Sequence, residues 1–267
     1  MSEPTVSELF EAGRLQEAID AALVDVKKHP TDTDRRGLLA ELLCFAGSWE
    51  RADKQVDAIG QQDPQSIVGL SLIRQLIRAE VARQECFRHG RPPEVLAEPT
   101  ESFRKSLEAL VALREGDAAQ AAILAAESER ARPAIAGTSG DRSFSGFRDL
   151  DDLTAGVFEV LTCTGKYYWI PIERVQSIEF QPPKRPRDLL WRRADMTVED
   201  GPSGEVYLPA IYFPFDEEQD DQLRLGRGTE WLEGPQQPTR GRGQRMLLVG
   251  DDATGIMELT SLEFSTG

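Results

Sequence analysis

In the first half of this chain a glycine is followed seventeen residues later by a proline at three places: Gly13 and Pro30, Gly47 and Pro64, Gly116 and Pro133. An alanine stands five residues after each glycine, at Ala18, Ala52 and Ala121. The first two units are offset by 34 residues, and the third lies 69 further on, close to two more periods. A repeat of this length restricts the fold strongly, because one unit cannot bury its apolar face alone and must stack on its neighbour. A glycine permits the sharp turn between antiparallel helices, an alanine lets the next helix come close, and a proline ends the unit.

Helical periodicity fills the spaces. Leu15, Ala18, Ile19, Ala22, Leu23 and Val26 follow the i, i+3, i+4, i+7 rule, as do Leu38, Leu39, Leu42 and Leu43. Gln65–His89 reads as one long helix with Ile67, Leu70, Ile73, Ile77 and Val81 on a stripe, stopped by Gly90-Arg91-Pro92-Pro93. Helices resume over Thr100–Arg114 and Asp117–Ala131. Units of 34 residues with this punctuation resemble tetratricopeptide repeats, although the aromatic positions of that consensus are mostly absent. The resemblance implies an α-α solenoid with a concave face for a peptide or helix. An ordinary helical bundle is the plainer alternative.

The helical pattern ends at Ala136–Ser145, which is the expected domain boundary. Strands are expected at Val157–Thr162, Tyr167–Ile170, Val175–Phe180, Glu205–Leu208, Arg245–Val249 and Ile256–Leu259. A Gly/Asp/Thr-rich turn at Gly250–Gly255 would join the last two, and 216–243 reads as a long surface loop. The expected fold class is therefore α+β in two domains. A tetratricopeptide-like helical solenoid over 1–136 is followed by a compact, mostly-β domain over 137–267.

Charge narrows the function classes. The 267 residues carry a formal net charge of −15. Divided at Gly137, the first part has 17 basic and 23 acidic side chains and the second 14 and 23, so both are acidic. Nucleic acid and anionic membrane need clustered positive surface and are not expected partners. No uncharged apolar run reaches the length of a membrane span, and the opening MSEPTVSELF has neither a basic nor an apolar signal region. Three cysteines, Cys44, Cys86 and Cys163, cannot all pair and form no C-x-x-C. They read as free buried thiols of a reducing, cytoplasmic compartment.

Signals for chemistry are poor. H-E-x-x-H, G-x-x-x-x-G-K-[ST] and G-x-S-x-G are all absent, and no cofactor, metal or catalytic residue is expected. His29 and His89 fall at helix ends and read as caps. Carboxylates cluster at Asp149-Leu150-Asp151-Asp152 and over 216–221, without the spacing of a calcium loop. The basic run Lys184-Arg185-Pro186-Arg187, with Trp191, Arg192 and Arg193, could bind a phosphate or acidic peptide, or pair internally. In Tyr167-Tyr168-Trp169-Ile170-Pro171, alternation sends Tyr168 and Ile170 to one face, and Tyr167 and Trp169 to the other. One face can be core; the other must then meet the helices or a partner.

Three blocks resemble the ImpE family, also called TagJ or SciE. They are Gly165-Lys166-Tyr167-Tyr168-Trp169-Ile170-Pro171, Arg187-Asp188-Leu189-Leu190-Trp191-Arg192 and Val206-Tyr207-Leu208-Pro209-Ala210. The resemblance covers the whole chain. It implies a cytoplasmic, non-enzymatic accessory protein of bacterial type VI secretion. The implied partners are the small (TssB-like) subunit of the contractile sheath and the ClpV-type ATPase. At the matching positions, Tyr168, Trp169, Arg187, Asp188 and Trp191 are implied to bind protein or to dock the C-terminal domain on the helices. Two alternatives stand beside this: a ligand- or metal-dependent module built on Asp149, Asp151, Asp152, Arg187 and Asp188, and a scaffold that assembles through its solenoid ends.

Overall fold

The computed structural model describes residues 3–63, 67–214 and 220–265. Pro64, the side chain of Ile67 and residues 216–219 of the acidic run lie outside the described part. The architecture is α+β in two parts.

Among the described residues seven helices come first: α1 (Val6–Glu11), α2 (Leu15–Lys28), α3 (Thr33–Phe45), α4 (Trp49–Gln62), α5 (Ile67–His89), α6 (Glu101–Arg114) and α7 (Ala118–Ala131). The repeated glycines sit in the turns α1–α2, α3–α4 and α6–α7, with φ of 76°, 68° and 85°. All three turns close alike. The glycine N–H bonds three residues back, and the following N–H five residues back, as in Ser48 N to Leu43 O at 2.8 Å. This is the hydrogen-bond pattern of a glycine-capped helix end. Ala18, Ala52 and Ala121 are fully buried, where a larger side chain would push the paired helices apart. Asp32, Thr100 and Asp117 cap the starts of α3, α6 and α7 through their side chains. His29 is the C-cap of α2, and His89 ends α5. On α5 the expected stripe drifts. Ile73 and Ile77 are buried, but Val81 is exposed, because the buried face continues through Leu76, Glu80, Arg83 and Phe87.

The described residues of the second part form thirteen strands and one short α-helix: β1 (Ala136–Ser139), β2 (Arg142–Ser145), β3 (Phe147–Asp149), β4 (Val157–Leu161), β5 (Tyr167–Pro171), β6 (Val175–Phe180), β7 (Trp191–Val198), β8 (Ser203–Pro209), α8 (Asp221–Arg224), β9 (Thr229–Gly234), β10 (Gln237–Gly243), β11 (Met246–Val249), β12 (Asp252–Gly255) and β13 (Ser261–Phe264). Eight strands form an antiparallel sheet in the order β2-β1-β13-β6-β7-β8-β4-β5. Three more pair as β12-β11-β3, and β9 with β10 makes a hairpin. The outer edge of β5 is covered by the stretch after α5: Glu94 N–H donates to Tyr167 O at 2.9 Å, and Trp169 N–H to Glu94 O at 3.2 Å.

The sheet is buried on both faces only around β4, β5 and the adjoining ends of β7 and β8, where the strands carry two sets of core residues. Phe158, Val160, Ile170, Ala194, Met196 and Leu208 face a core closed by Phe147, Leu247 and Ile256. Residues of the opposite face join the helices. Leu161, Trp191 and Tyr207 belong to the cluster of α1–α5, while Val157, Tyr167 and Trp169 belong to that of α5–α7. The two parts of the chain thus share two of their three cores.

Three sequence expectations are corrected. The 216–243 region, as far as it is described, is not a free loop. It holds α8 and the β9–β10 hairpin, because its polar groups have assigned partners. Arg227 donates to the carbonyls of Phe10 and Glu11 (2.5 Å each), and Arg224 donates to Ala46 O at 3.3 Å. Those carbonyls lie at the C-terminal, negative ends of α1 and α3. From the hairpin, Thr239 N–H and Gly241 N–H donate to Asp152 (2.7 Å) and Asp151 (3.0 Å). Second, no strand occupies 256–259. The turn is the tighter Gly250-Asp251, φ +64° at the glycine, so the pairing strand falls earlier, at β12. Third, only Cys44 and Cys86 are buried thiols; Cys163 is exposed in the β4–β5 turn.

Candidate functional site

Between α5 and the sheet lies a buried network of charge. Arg83, on the inward face of α5, donates from Nε to Glu159 Oε1 (2.8 Å) and from Nη2 to Glu159 Oε2 (3.1 Å). It also pairs with Glu80 at 3.1 Å and reaches Ile211 O at 3.2 Å. From the other side Arg245 binds both Glu159 and Asp149, and its Nε donates to Pro209 O at 3.0 Å. Tyr167 donates its hydroxyl to Glu159 and accepts from the indole of Trp169. Tyr212 donates to Asp149 Oδ1 at 2.8 Å and accepts from Met246 N–H at 3.0 Å. Trp191 Nε1 donates to Glu80 Oε2 at 3.2 Å.

Electrostatics follows from this wiring. Burial pushes Glu159 up, but Arg83 and Arg245 outweigh it and hold its carboxyl at about 2. Burial lowers the basicity of both arginines, and the surrounding carboxylates reverse the effect. Asp149 is raised by burial, with Arg245 opposing. Asp151, buried beside Asp149, is pushed up to about 7. Every group here is consumed by another side chain or by backbone, so the network joins elements.

The residues singled out in the sequence divide accordingly. Trp169 is fully buried and packs on Phe103 (5.8 Å between ring centroids) and Phe87 (6.2 Å), joining β5 to α5 and α6. Trp191 is buried and stacks on Trp49 of α4 at 6.2 Å. Arg187 approaches Glu41 of α3 at 3.4 Å; burial raises that carboxyl, and Arg187 offsets only part of the rise. Tyr168 lies on the opposite face, against the sheet's own core. Asp188 accepts from the N–H groups of Lys184 (2.8 Å) and Arg185 (3.0 Å), a local turn contact. Of the basic run, Arg193 pairs with Glu205 at 3.1 Å, and Arg192 is buried with a single long contact to Leu259 O, 3.4 Å. Asp149, Asp151 and Asp152 bond to Arg245, Gly241 and Arg148, whereas Arg187 and Asp188 serve α3 and their own turn. The structure does not gather these five around one pocket. Among the described residues no group of three His, Cys, Asp or Glu could hold a metal ion. No helix among them is long and apolar enough to cross a membrane.

Sequence reasoning missed Glu80, Arg83, Glu159, Tyr212 and Arg245. A signal existed on α5: Glu80 and Arg83 continue the inward stripe of Ile73, Leu76 and Ile77. Ionisable residues at apolar positions announce a buried pair.

Open surface lies along α5, and near the C-terminal end of the helix it reaches Glu80, Arg83 and Tyr212 of the network. A hollow of about 690 Å³ runs between α4 and α5, lined by Glu50, Asp53, Leu70, Arg74 and Arg78. A second, of about 580 Å³, lies between the α3–α4 turn and the C-terminal end of α5. Trp49 and Val81 line both, so the two hollows meet there.

Comparison with known proteins places this architecture. The ImpE protein family matches residues 141–263, a span that contains Asp149, Glu159, Tyr167, Trp191 and Arg245. The type VI secretion system accessory component TagJ of Pseudomonas aeruginosa is 33% identical over 96% of this chain and 90% of its own length. The chain belongs to the ImpE/TagJ family. The crystal structure of protein VPA1032 from Vibrio parahaemolyticus superposes with a TM-score of 0.92 at 27% identity, covering 98% of each chain. The match extends well beyond the 141–263 region, so the helices that supply Glu80, Arg83 and the open hollows are part of the common architecture.

Proposed function

We propose that this ImpE/TagJ-family chain is a non-enzymatic, cytoplasmic accessory factor of type VI secretion. In this reading residues 1–136 act as a tetratricopeptide-like receptor that captures a segment of the small, TssB-like sheath subunit. Residues 137–267 act as its brace, and the capture is linked to sheath recycling by the ClpV-type ATPase. The observation that carries the reading is the likeness, over nearly the whole chain, to a protein named as an accessory component of that system. Two physical features support it. The charged groups inside are used for joining α5 to the sheet, and the hollows along α4 and α5 are open. Trp169, Arg187 and Trp191 are assigned to holding the brace on the helices. Tyr168 and Asp188 serve the sheet core and a local turn.

The test is calorimetric titration of the full chain with its organism's small sheath subunit, and with that subunit's isolated N-terminal segment. Saturable binding with a negative heat-capacity change is expected, since apolar surface is buried. Absence of binding by both, with folded proteins on each side, overturns the reading.

A further inference from the structure

The outward face of α5 carries a pattern that the buried network does not explain. Arg74, Arg78, Val81, Glu85 and Arg88 follow one another at intervals of four, three, four and three, so they lie on one stripe of the helix. All five line the two hollows. Their charges are not equally engaged. Arg74 pairs with Asp53 (3.1 Å) and Asp57 (2.7 Å), and Glu85 with Arg91 at 2.7 Å. Among the described residues Arg78 has Gln75, at 3.3 Å, and Arg88 a 3.5 Å contact to Pro214 O and the face of Phe213. Among the described residues neither arginine has a carboxylate partner, in a chain with a net charge of −15. The opposite wall offers Glu50 of α4, without a partner among the described residues, and Trp49, whose indole stacks on Trp191 and is thereby held in place.

We propose that this stripe is a docking surface for an acidic segment of a partner protein: two carboxylates bound by Arg78 and Arg88, and one apolar side chain between them packed on Val81 and Trp49. Ten helical residues separate the two arginines, about 15 Å along the axis. The segment therefore spaces its carboxylates by about ten residues if it is helical, or about five if it is extended. A fixed tryptophan in a partly enclosed hollow is the kind of residue that anchors such contacts, and the flanking charges select the register. The proposal rests on the accessory-factor reading for the existence of a protein partner, and it adds the place and the chemistry.

The experiment uses the full chain and two synthetic 18-residue amphipathic helices, one of leucine and glutamate, the other of leucine and lysine in the same positions, read by fluorescence anisotropy. The acidic helix is expected to bind and the basic one not. Salt should weaken the binding. In the double variant Arg78→Glu/Arg88→Glu, at two exposed positions, affinity for the acidic helix should fall roughly tenfold and the preference should reverse. Equal binding of both helices, or a double variant indistinguishable from the parent, overturns the proposal. The Val81→Asp variant, at an exposed site that leaves the cores intact, should also weaken the acidic helix; unchanged affinity counts against the anchor. The small sheath subunit is titrated in parallel. Sheath binding that the double variant leaves intact removes this surface and keeps the accessory reading. Binding of the acidic helix with none of the sheath subunit keeps the surface and removes that reading.

Discussion

Arg83 and Glu159 stand 76 residues apart in sequence and meet across the junction of helices and sheet, Nε to Oε1 2.8 Å, with both side chains almost wholly buried. Glu159 also binds Arg245, so one carboxylate neutralises two arginines from opposite sides. Glu159→Gln leaves both cations without their shared anion and is expected to cost about 3–5 kcal/mol. Arg83→Met should cost less, because Arg245 still holds Glu159. Urea unfolding of the two single variants and the double variant gives the coupling directly. Additive losses would mean that the pair is not the joint.

How much of this was readable beforehand depends on whether a pattern is local. The glycine and the alanine of each hairpin act within a few residues of the turn, so Gly13, Gly47 and Gly116 announce their positions in the sequence. The strands β4, β5 and β6 were legible for the same reason, and the two faces of Tyr167–Ile170 fell where alternation puts them. Strand β7 was hidden by Arg192, Arg193 and Asp195, whose charges mask the inward set Ala194, Met196 and Val198. The partner of Arg245 could not be read at all. It reaches Asp149 and Glu159, 96 and 86 residues away, through a strand order that only the folded sheet defines. Likewise 220–243 looks like a loop until Arg224 and Arg227 are seen to cap helices near the start of the chain.

Two buried carboxylates pull stability in opposite directions with pH. Glu159, held at about 2 below its ordinary 4.5, contributes stability that is complete above pH 4.5 and is lost as pH falls toward 2. Asp151, raised from 3.8 to about 7, contributes stability that is complete below pH 3.8 and is lost as pH rises through 7. The unfolding midpoint in urea should therefore peak near pH 4, fall toward pH 2 on the acid limb, and fall again from about pH 4.5 to 7 on the alkaline limb. Asp151→Asn should flatten the alkaline limb and leave the acid limb in place. An alkaline limb unchanged in that variant would assign it to another group.

Two glycines should respond differently to alanine. Gly47 has φ +68° and nothing within 4 Å of where a Cβ would stand, so Gly47→Ala meets backbone strain alone, about 1 kcal/mol. At Gly241 the added carbon would lie 2.1 Å from Cε2 of Tyr212. Relief requires the ring to move away from Asp149 and Met246, and the cost should approach about 3 kcal/mol. Thermal melts of the two variants give the order, and hydrogen exchange at Thr239 and Gly241 should rise in the second variant only.

Cutting the chain after Arg132 tests whether the helices stand without their brace. The cut removes Trp169 from Phe87 and Phe103, and Trp191 from Trp49, so two apolar clusters lose one wall each. It also leaves Arg83 with Glu80 alone, and strips the carbonyl ends of α1 and α3 of Arg227 and Arg224. The three glycine turns remain, and they fix helix ends without any help from the sheet. The fragment should thus keep helical circular dichroism while binding a hydrophobic dye and melting without a sharp transition. Cooperative melting with no dye binding would show that the repeat packs on its own, and that the buried network adds stability to an already complete helical unit.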